Sequence, residues 1–159
     1  MENYMKLEIA AKSVNEGFAR SAVAAFALTL NPSLDELGDI KTAVSEAVTN
    51  CIVHAYKGAD FSKKEQAKLR IECRAVETCN GGKLHITVED EGCGIEDVEQ
   101  AILPFFTTLG DEERSGMGFT IMQTFMDEFS VTSERGKGTR VQMEKRIGGV
   151  NAEKELMNA

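Results

Sequence analysis

Apolar and polar residues alternate from Met5 to Ala11 (MKLEIAA), the period-two pattern of a strand with one buried face. The period then lengthens. Val14, Phe18, Val23, Phe26, Ala27 and Leu30 recur at helical spacing and predict a helix from Ser13 to Leu30, which Asn31-Pro32-Ser33 ends. Ser33, with Glu36 three residues on, predicts a capping box at the start of a second helix. That helix should reach about Tyr56, with Leu37, Ile40, Val44, Ala47, Val48, Cys51 and Ile52 on its apolar side. Lys57 to Lys68 is polar and reads as a loop. Leu69–Val76 and Lys83–Glu89 alternate again around Cys79-Asn80-Gly81-Gly82 and predict a hairpin. A short helix from Asp97 follows, then helical spacing from Gly118 to Glu128. A closing hairpin pairs Phe129–Ser133 with Thr139–Lys145.

The order strand, helix, helix, strand, strand, loop, helix, strand, strand predicts an α+β two-layer sandwich, with helices on one face of a mixed sheet. A chain of 159 residues suits one domain around one core. Residues 1–147 are assigned to that domain and 148–159 to a short, flexible tail. Hydrophobic residues at 42% and charged residues at 28% are ordinary for a soluble globular protein. No apolar stretch approaches the roughly 20 residues of a membrane span. Glu2, Lys6 and Glu8 interrupt any secretory signal, so a cytoplasmic location is expected. A formal charge of −8 without a basic cluster argues against nucleic acid as a direct ligand. Cys51, Cys73, Cys79 and Cys93 form no C-x-x-C pair, so neither zinc nor a disulfide framework is supported.

Three short segments carry chemistry. Glu46, Asn50 and His54 are spaced four apart and share one side of the second helix. They offer a general base and an oxygen ligand for a hard cation; a solvated helix face is the plainer reading of the triplet by itself. Asp90-Glu91-Gly92-Cys93-Gly94 follows a strand. Its glycines permit close backbone approach to a ligand, and its carboxylate can accept from an exocyclic amine; a plain turn is the other reading. Arg114-Ser115-Gly116-Met117-Gly118 precedes a helix, whose orphan N–H groups can meet phosphates alongside a forked arginine contact. A loose helix entry would look the same.

In this order and spacing the three segments resemble the GHKL ATPase/kinase superfamily, with Gly138-Thr139 as its late Gly-Thr pair. SEAVTNCIVHAY and PFFTTLGDEERSGMGFTIMQTFMDE narrow the resemblance to the anti-sigma-factor serine kinases of sporulation, over about Met5 to Lys145. The resemblance implies a Bergerat-type sandwich. It also implies a homodimer that inhibits a sporulation sigma factor and uses MgATP to phosphorylate a serine of an anti-anti-sigma factor. Glu46 would then be the catalytic base, and Asn50 the ligand of Mg²⁺. His54 would lie beside the ribose or phosphates, or be structural. Asp90 would read the adenine amine with support from Thr139, and Gly92 and Gly94 would let the nucleotide approach. Thr107 and Thr108 would belong to a lid, and Arg114, Ser115, Gly116, Met117 and Gly118 would grip phosphate.

Three further features stand beside that pattern. Lys57–Gly82 is longer than the family leads one to expect and reads as surface decoration. Cys93 lies inside the first glycine box, either as an oxidation-sensitive thiol or as a small tolerated side chain. Arg20, on a helix apolar around most of its circumference, is the candidate partner contact, with a solvated charge as the bland reading. A histidine-kinase catalytic domain shares the boxes but needs a phosphoacceptor helix pair, and none is visible in this sequence. A non-catalytic, ATP-gated sigma-binding module is the alternative function. Glu46 argues for catalysis, because a pure binder has no use for a base there.

Overall fold

The structure is a computed structural model and describes residues 2–104 and 118–148. Strand β1 (Glu2–Ala10) leads through a single 3-10 turn into helix α1 (Glu16–Ala27). Another 3-10 turn ends on Asn31, the one described non-glycine residue at positive φ (53°). Helix α2 (Leu34–Asn50) then starts with the expected capping box. The Glu36 N–H donates to Ser33 Oγ at 3.1 Å, and Ser33 N–H donates to Glu36 Oε2 at 2.7 Å. Two of the orphan donors at the helix start are satisfied this way.

Beyond Asn50 the helix widens into one π turn, Cys51–Ala55, and stops at Tyr56. A short helix α3 (Phe61–Glu65) follows, where the sequence reading placed only loop. Its signal was local: Asp60 caps it by accepting the Lys63 N–H at 2.9 Å. Strands β2 (Lys68–Thr78) and β3 (Gly81–Asp90) form the hairpin. Gly81 and Gly82 pair within the ladder, so the turn shrinks to Cys79-Asn80. Asp97 caps the four-residue helix α4 (Val98–Ala101). Helix α5 (Gly118–Phe125) stops short of Glu128, which opens β4 (Glu128–Glu134) instead, and β5 (Gly138–Ile147) ends the fold.

The α+β two-layer arrangement is as expected, with one correction. The sheet runs β1-β2-β3-β5-β4, and all of its pairings are antiparallel rather than mixed. Strands β3 and β4 do run parallel to each other, but β5 inserts between them. The crossover from β3 to β4 therefore never creates a parallel ladder.

Alternation decides which face is covered. Leu69, Ile71 and Cys73 of β2, Leu84, Ile86 and Val88 of β3, and Val141 and Met143 of β5 turn toward the helices and are buried. They meet Ala19 and Val23 of α1, Ile40, Val44, Ala47 and Val48 of α2, and Met122 of α5. Helix α2 lies between α1 and α5 and forms the middle of that layer. Lys145 ties the layers together at the far end, donating to Asp39 Oδ2 at 2.9 Å and to the Phe125 carbonyl at 2.7 Å. The opposite face of the sheet is charged; Arg70, for example, pairs with Glu8, Glu89 and Glu91. Such exposed pairs contribute about 0–1 kcal/mol each, so stability resides in the apolar layer.

Gly38 is exposed in the middle of α2, and a Cβ there would meet nothing within 4 Å. Gly38→Ala is therefore expected to stabilise the protein by about 0.5–1 kcal/mol, read as a rise in the denaturation midpoint. A fall would show that α2 is held in a geometry that alanine does not favour.

Candidate functional site

Helix α2 runs beneath the site, and its polar stripe meets the start of α5. A Cβ built on Gly118 would lie 3.2 Å from Glu46 Oε2 and 3.5 Å from both Asn50 Oδ1 and Nδ2. A carboxylate, a carboxamide and the first turn of a helix thus converge on one point. A helix start presents free N–H groups and a partial positive charge, so anionic oxygens are favoured there.

Downstream of Asn50 the π turn widens the backbone ladder. The His54 carbonyl oxygen, within that turn, accepts from the Cys93 thiol at 3.6 Å. The same turn seats the first glycine segment. Cys93 N–H donates to the Ala55 carbonyl at 2.6 Å, and Glu91 N–H donates to Tyr56 Oη at 3.1 Å. Tyr56 Oη in turn donates to the Lys68 carbonyl at 2.6 Å, fixing the loop to the start of β2. Gly92 allows this contact, since an added Cβ would fall 2.1 Å from the Ala55 oxygen. Gly94 adopts φ +73° against the backbone of Glu134, and Gly136 N–H donates to the Cys93 carbonyl at 2.7 Å.

Asp90 ends β3 on the helix-covered face and is only 6% exposed. Its carboxylate accepts the Gly92 N–H at 2.9 Å. Burial pushes its pKa up from the ordinary carboxylate value, and hydrogen bonding, led by Gly92, partly opposes the shift. Burial first, and then the charge of Asp90, push the Cys51 thiol well above its usual value, so it stays S–H.

Thr139 lies opposite Asp90 in the ladder, and Ser133 lies opposite Thr139. Ser133 Oγ is 2.9 Å from Thr139 Oγ1, donates to the Gly138 carbonyl at 2.9 Å and accepts Ile95 N–H at 2.7 Å. With its one proton committed to Gly138, Ser133 accepts from the Thr139 hydroxyl, and both lone pairs on Thr139 stay available. Thr107, Thr108, Arg114, Ser115, Gly116 and Met117 lie outside the described residues. Arg20, the candidate partner contact, pairs within its own helix with Glu16 at 3.1 Å, and Glu16 also accepts from Ser45 Oγ.

Three participants escaped the sequence reading. Cys51 was counted only among apolar positions. Tyr56 was no more than the end of a helix, and Ser133 one residue of an alternating strand. Nothing in their immediate neighbours marks them, because their partners lie 35 to 39 residues away (Tyr56 to Glu91, Ile95 to Ser133, His54 to Cys93) or across the sheet.

The donor set fits Mg²⁺ in kind. Asn50 supplies one neutral oxygen beside the Glu46 carboxylate. No cluster of three or more His, Cys, Asp or Glu among the described residues would hold a metal without help. Mg²⁺ takes few protein ligands and completes its shell with phosphate oxygens and water, which suits so sparse a site.

A single antiparallel sheet with one helical layer, and a carboxylate–carboxamide pair under a helix start, describe a nucleotide-using domain. Residues 9–145 match the family described as "Histidine kinase-like ATPase domain". Anti-sigma F factor of Caldanaerobacter subterraneus subsp. tengcongensis is 57% identical over 146 residues, covering 92% of this chain and 95% of the relative. Those of Thermoanaerobacter sp. (strain X514) and Clostridium botulinum (strain Eklund 17B / Type B) are 53% and 52% identical, over 92% of this chain and 95% and 96% of theirs. The chain belongs to the anti-sigma F factor family, within the histidine kinase-like ATPase domains.

Solved structures share the fold. The RsbU and RsbW domains of Rv1364c from Mycobacterium tuberculosis align with TM-score 0.57 at 16% identity, covering 90% of this chain and 32% of that one. The mycobacterial sensor histidine kinase MprB aligns with TM-score 0.50 at 14% identity, over 91% and 98%. No helix among the described residues is long and apolar enough to cross a membrane.

The buried carboxylate predicts a conflict between stability and use. A folded-state pKa above that of an unfolded-chain aspartate means the folded protein holds this proton to higher pH. Its ionisation therefore costs stability as pH rises through that interval, and the cost persists above it. Asp90→Asn is expected to raise the melting temperature of the nucleotide-free protein at pH 7, with the gain vanishing as pH falls below the Asp90 pKa. A loss at pH 7 that persists on acidification would show that the carboxylate is held at no cost.

Proposed function

We propose that this anti-sigma factor binds a sporulation sigma factor and holds it inactive. With MgATP it also phosphorylates a serine of an anti-anti-sigma factor. The observation that carries the reading is the convergence of Glu46 and Asn50 on Gly118 at the start of α5. Glu46 is the base: it takes the proton from the attacking serine hydroxyl as that oxygen bonds to the γ-phosphorus and the bond to the β–γ bridging oxygen breaks, releasing ADP. Asn50 holds Mg²⁺, which neutralises charge on the phosphates. Gly118 and the helix start behind it meet phosphate oxygens, joined by Arg114, Ser115, Gly116 and Met117, while Thr107 and Thr108 belong to the lid.

Asp90 reads the base. A carboxylate has about four acceptor sites, so with Gly92 N–H bound it still has room for an N–H of the adenine amine. Gly92 and Gly94 let the nucleotide approach, Thr139 offers its free lone pairs, and His54 lies beside the ribose or phosphates. The working unit is a homodimer of one domain through residue 147 with a short tail, acting in the cytoplasm, and Arg20 contributes to partner contact.

The test is transfer of γ-labelled phosphate from ATP with Mg²⁺ to the anti-anti-sigma factor, with the modified residue mapped. Label on a serine is expected. If the protein binds ATP and labels nothing, the kinase reading falls and an ATP-gated binding module replaces it.

A further inference from the structure

We propose that Tyr56 is a positioning residue for adenine recognition. Its hydroxyl replaces one rung of the sheet and turns the chain after Asp90 away from β2 and onto the π turn, which orients the Asp90 carboxylate for the nucleotide. The inference rests on the reading of Asp90 as the base anchor.

The β2–β3 ladder ends with Leu69 opposite Asp90, and its register carried one step further sets Lys68 opposite Glu91. Both backbones are turned for a bond between the strands. Successive carbonyls along a strand point to opposite sides, and the Ala67 carbonyl is taken on the β1 side by Ala11 N–H at 2.9 Å, so that of Lys68 points toward β3. A Cβ on Gly138 of β5 would lie 2.0 Å from the Asp90 carbonyl oxygen. The N–H of the same trans peptide, which belongs to Glu91, therefore points the other way, toward β2. An unbroken ladder would join these two groups directly. Instead Tyr56 Oη links them, accepting Glu91 N–H at 3.1 Å and donating to the Lys68 carbonyl at 2.6 Å. A hydroxyl does both at once, and phenylalanine does neither.

Three successive amides are committed beyond the strand end. Glu91 N–H goes to Tyr56, Gly92 N–H to Asp90 Oδ1 at 2.9 Å, and Cys93 N–H to the Ala55 carbonyl at 2.6 Å. Ala55 and Tyr56, adjacent at the end of the turn, grip the outer two. That fixes the middle amide, and the middle amide orients the carboxylate. Asp90 is buried, so water does not make good a lost or tilted contact. Without the hydroxyl, the orphaned N–H and C=O recover a bond by closing on each other. The ladder then gains a rung, and residues 91–93 are drawn off the turn.

The test is titration calorimetry on the full chain with ADP and with inosine diphosphate, whose ring carries a carbonyl in place of the amine. The wild type is expected to prefer ADP. Tyr56→Phe, which retains the ring and its packing, is expected to bind ADP about fivefold more weakly and inosine diphosphate within about twofold of wild type. A wild-type preference in Tyr56→Phe, or equal losses for the two nucleotides, makes Tyr56 a packing residue and overturns the proposal. Asp90→Asn separates this inference from the reading beneath it. No preference in the wild type, or one that survives Asp90→Asn, sinks the base-anchor reading and the proposal with it. A preference abolished by Asp90→Asn but intact in Tyr56→Phe leaves the anchor standing and removes only the role of Tyr56.

Discussion

Glu46→Ala is expected to slow γ-phosphate transfer to the partner serine by about 10²–10⁴-fold, the usual contribution of a positioned base. The side chain sits one helical turn from Asn50, with Oε2 3.2 Å from the Cβ position of Gly118, so under the proposed function it would border the phosphates without being needed to hold them. Affinity for ATP should therefore stay within a few-fold of wild type. Glu46→Gln sharpens the result, because it keeps size and hydrogen bonding but cannot take a proton. Equal losses in both variants, with nucleotide binding intact, would mark proton abstraction as the lost step. The measurement is single-turnover transfer with labelled ATP, alongside nucleotide titration. Wild-type transfer in Glu46→Gln would remove Glu46 from the base role.

Gly92→Ala should have a large structural effect for a single methyl group at the site. The added carbon would lie 2.1 Å from the Ala55 oxygen, 2.5 Å from its carbonyl carbon and 2.6 Å from its Cβ. These neighbours are mostly backbone, so relief requires the loop to lift off the π turn. That would break the Cys93–Ala55 and Glu91–Tyr56 hydrogen bonds together. An overpacking cost of about 1–3 kcal/mol corresponds to a melting temperature roughly 3–10 °C lower. Nucleotide affinity should drop at least about tenfold, as Asp90 is carried away with the loop. Gly38→Ala, with open space around its Cβ, is the matched control. Unchanged ADP affinity in Gly92→Ala would mean the loop has another seat.

The sequence reading succeeded where the code is local. Ser33 and Glu36 wrote the start of α2, and Asp97 the start of α4, because each cap joins residues three apart. Alternation in β2, β3, β4 and β5 named the strands and the buried face. Glu46, Asn50, Asp90 and Gly118 were singled out because their residue types and spacings suit phosphate and amine chemistry, and the fold does bring Glu46, Asn50 and Gly118 together. Helix α3 and the two-residue hairpin turn were missed by small margins. A five-residue helix has little periodicity to read, and glycines at the start of β3 look like turn residues until the ladder is in place.

By itself, then, the sequence determined the elements, the covered face, the family resemblance and the residues with the chemistry. Tertiary structure decided the rest. It placed β5 between β3 and β4, which made the sheet antiparallel throughout. It opened the π turn after Asn50, and set Tyr56 against Glu91 and Ser133 beside Thr139. The reason is range. Caps and periodicity are fixed by residues within a turn or two of one another. Whether a tyrosine merely ends a helix or holds a glycine loop depends on a residue 35 positions along, and that distance closes only when the layers pack.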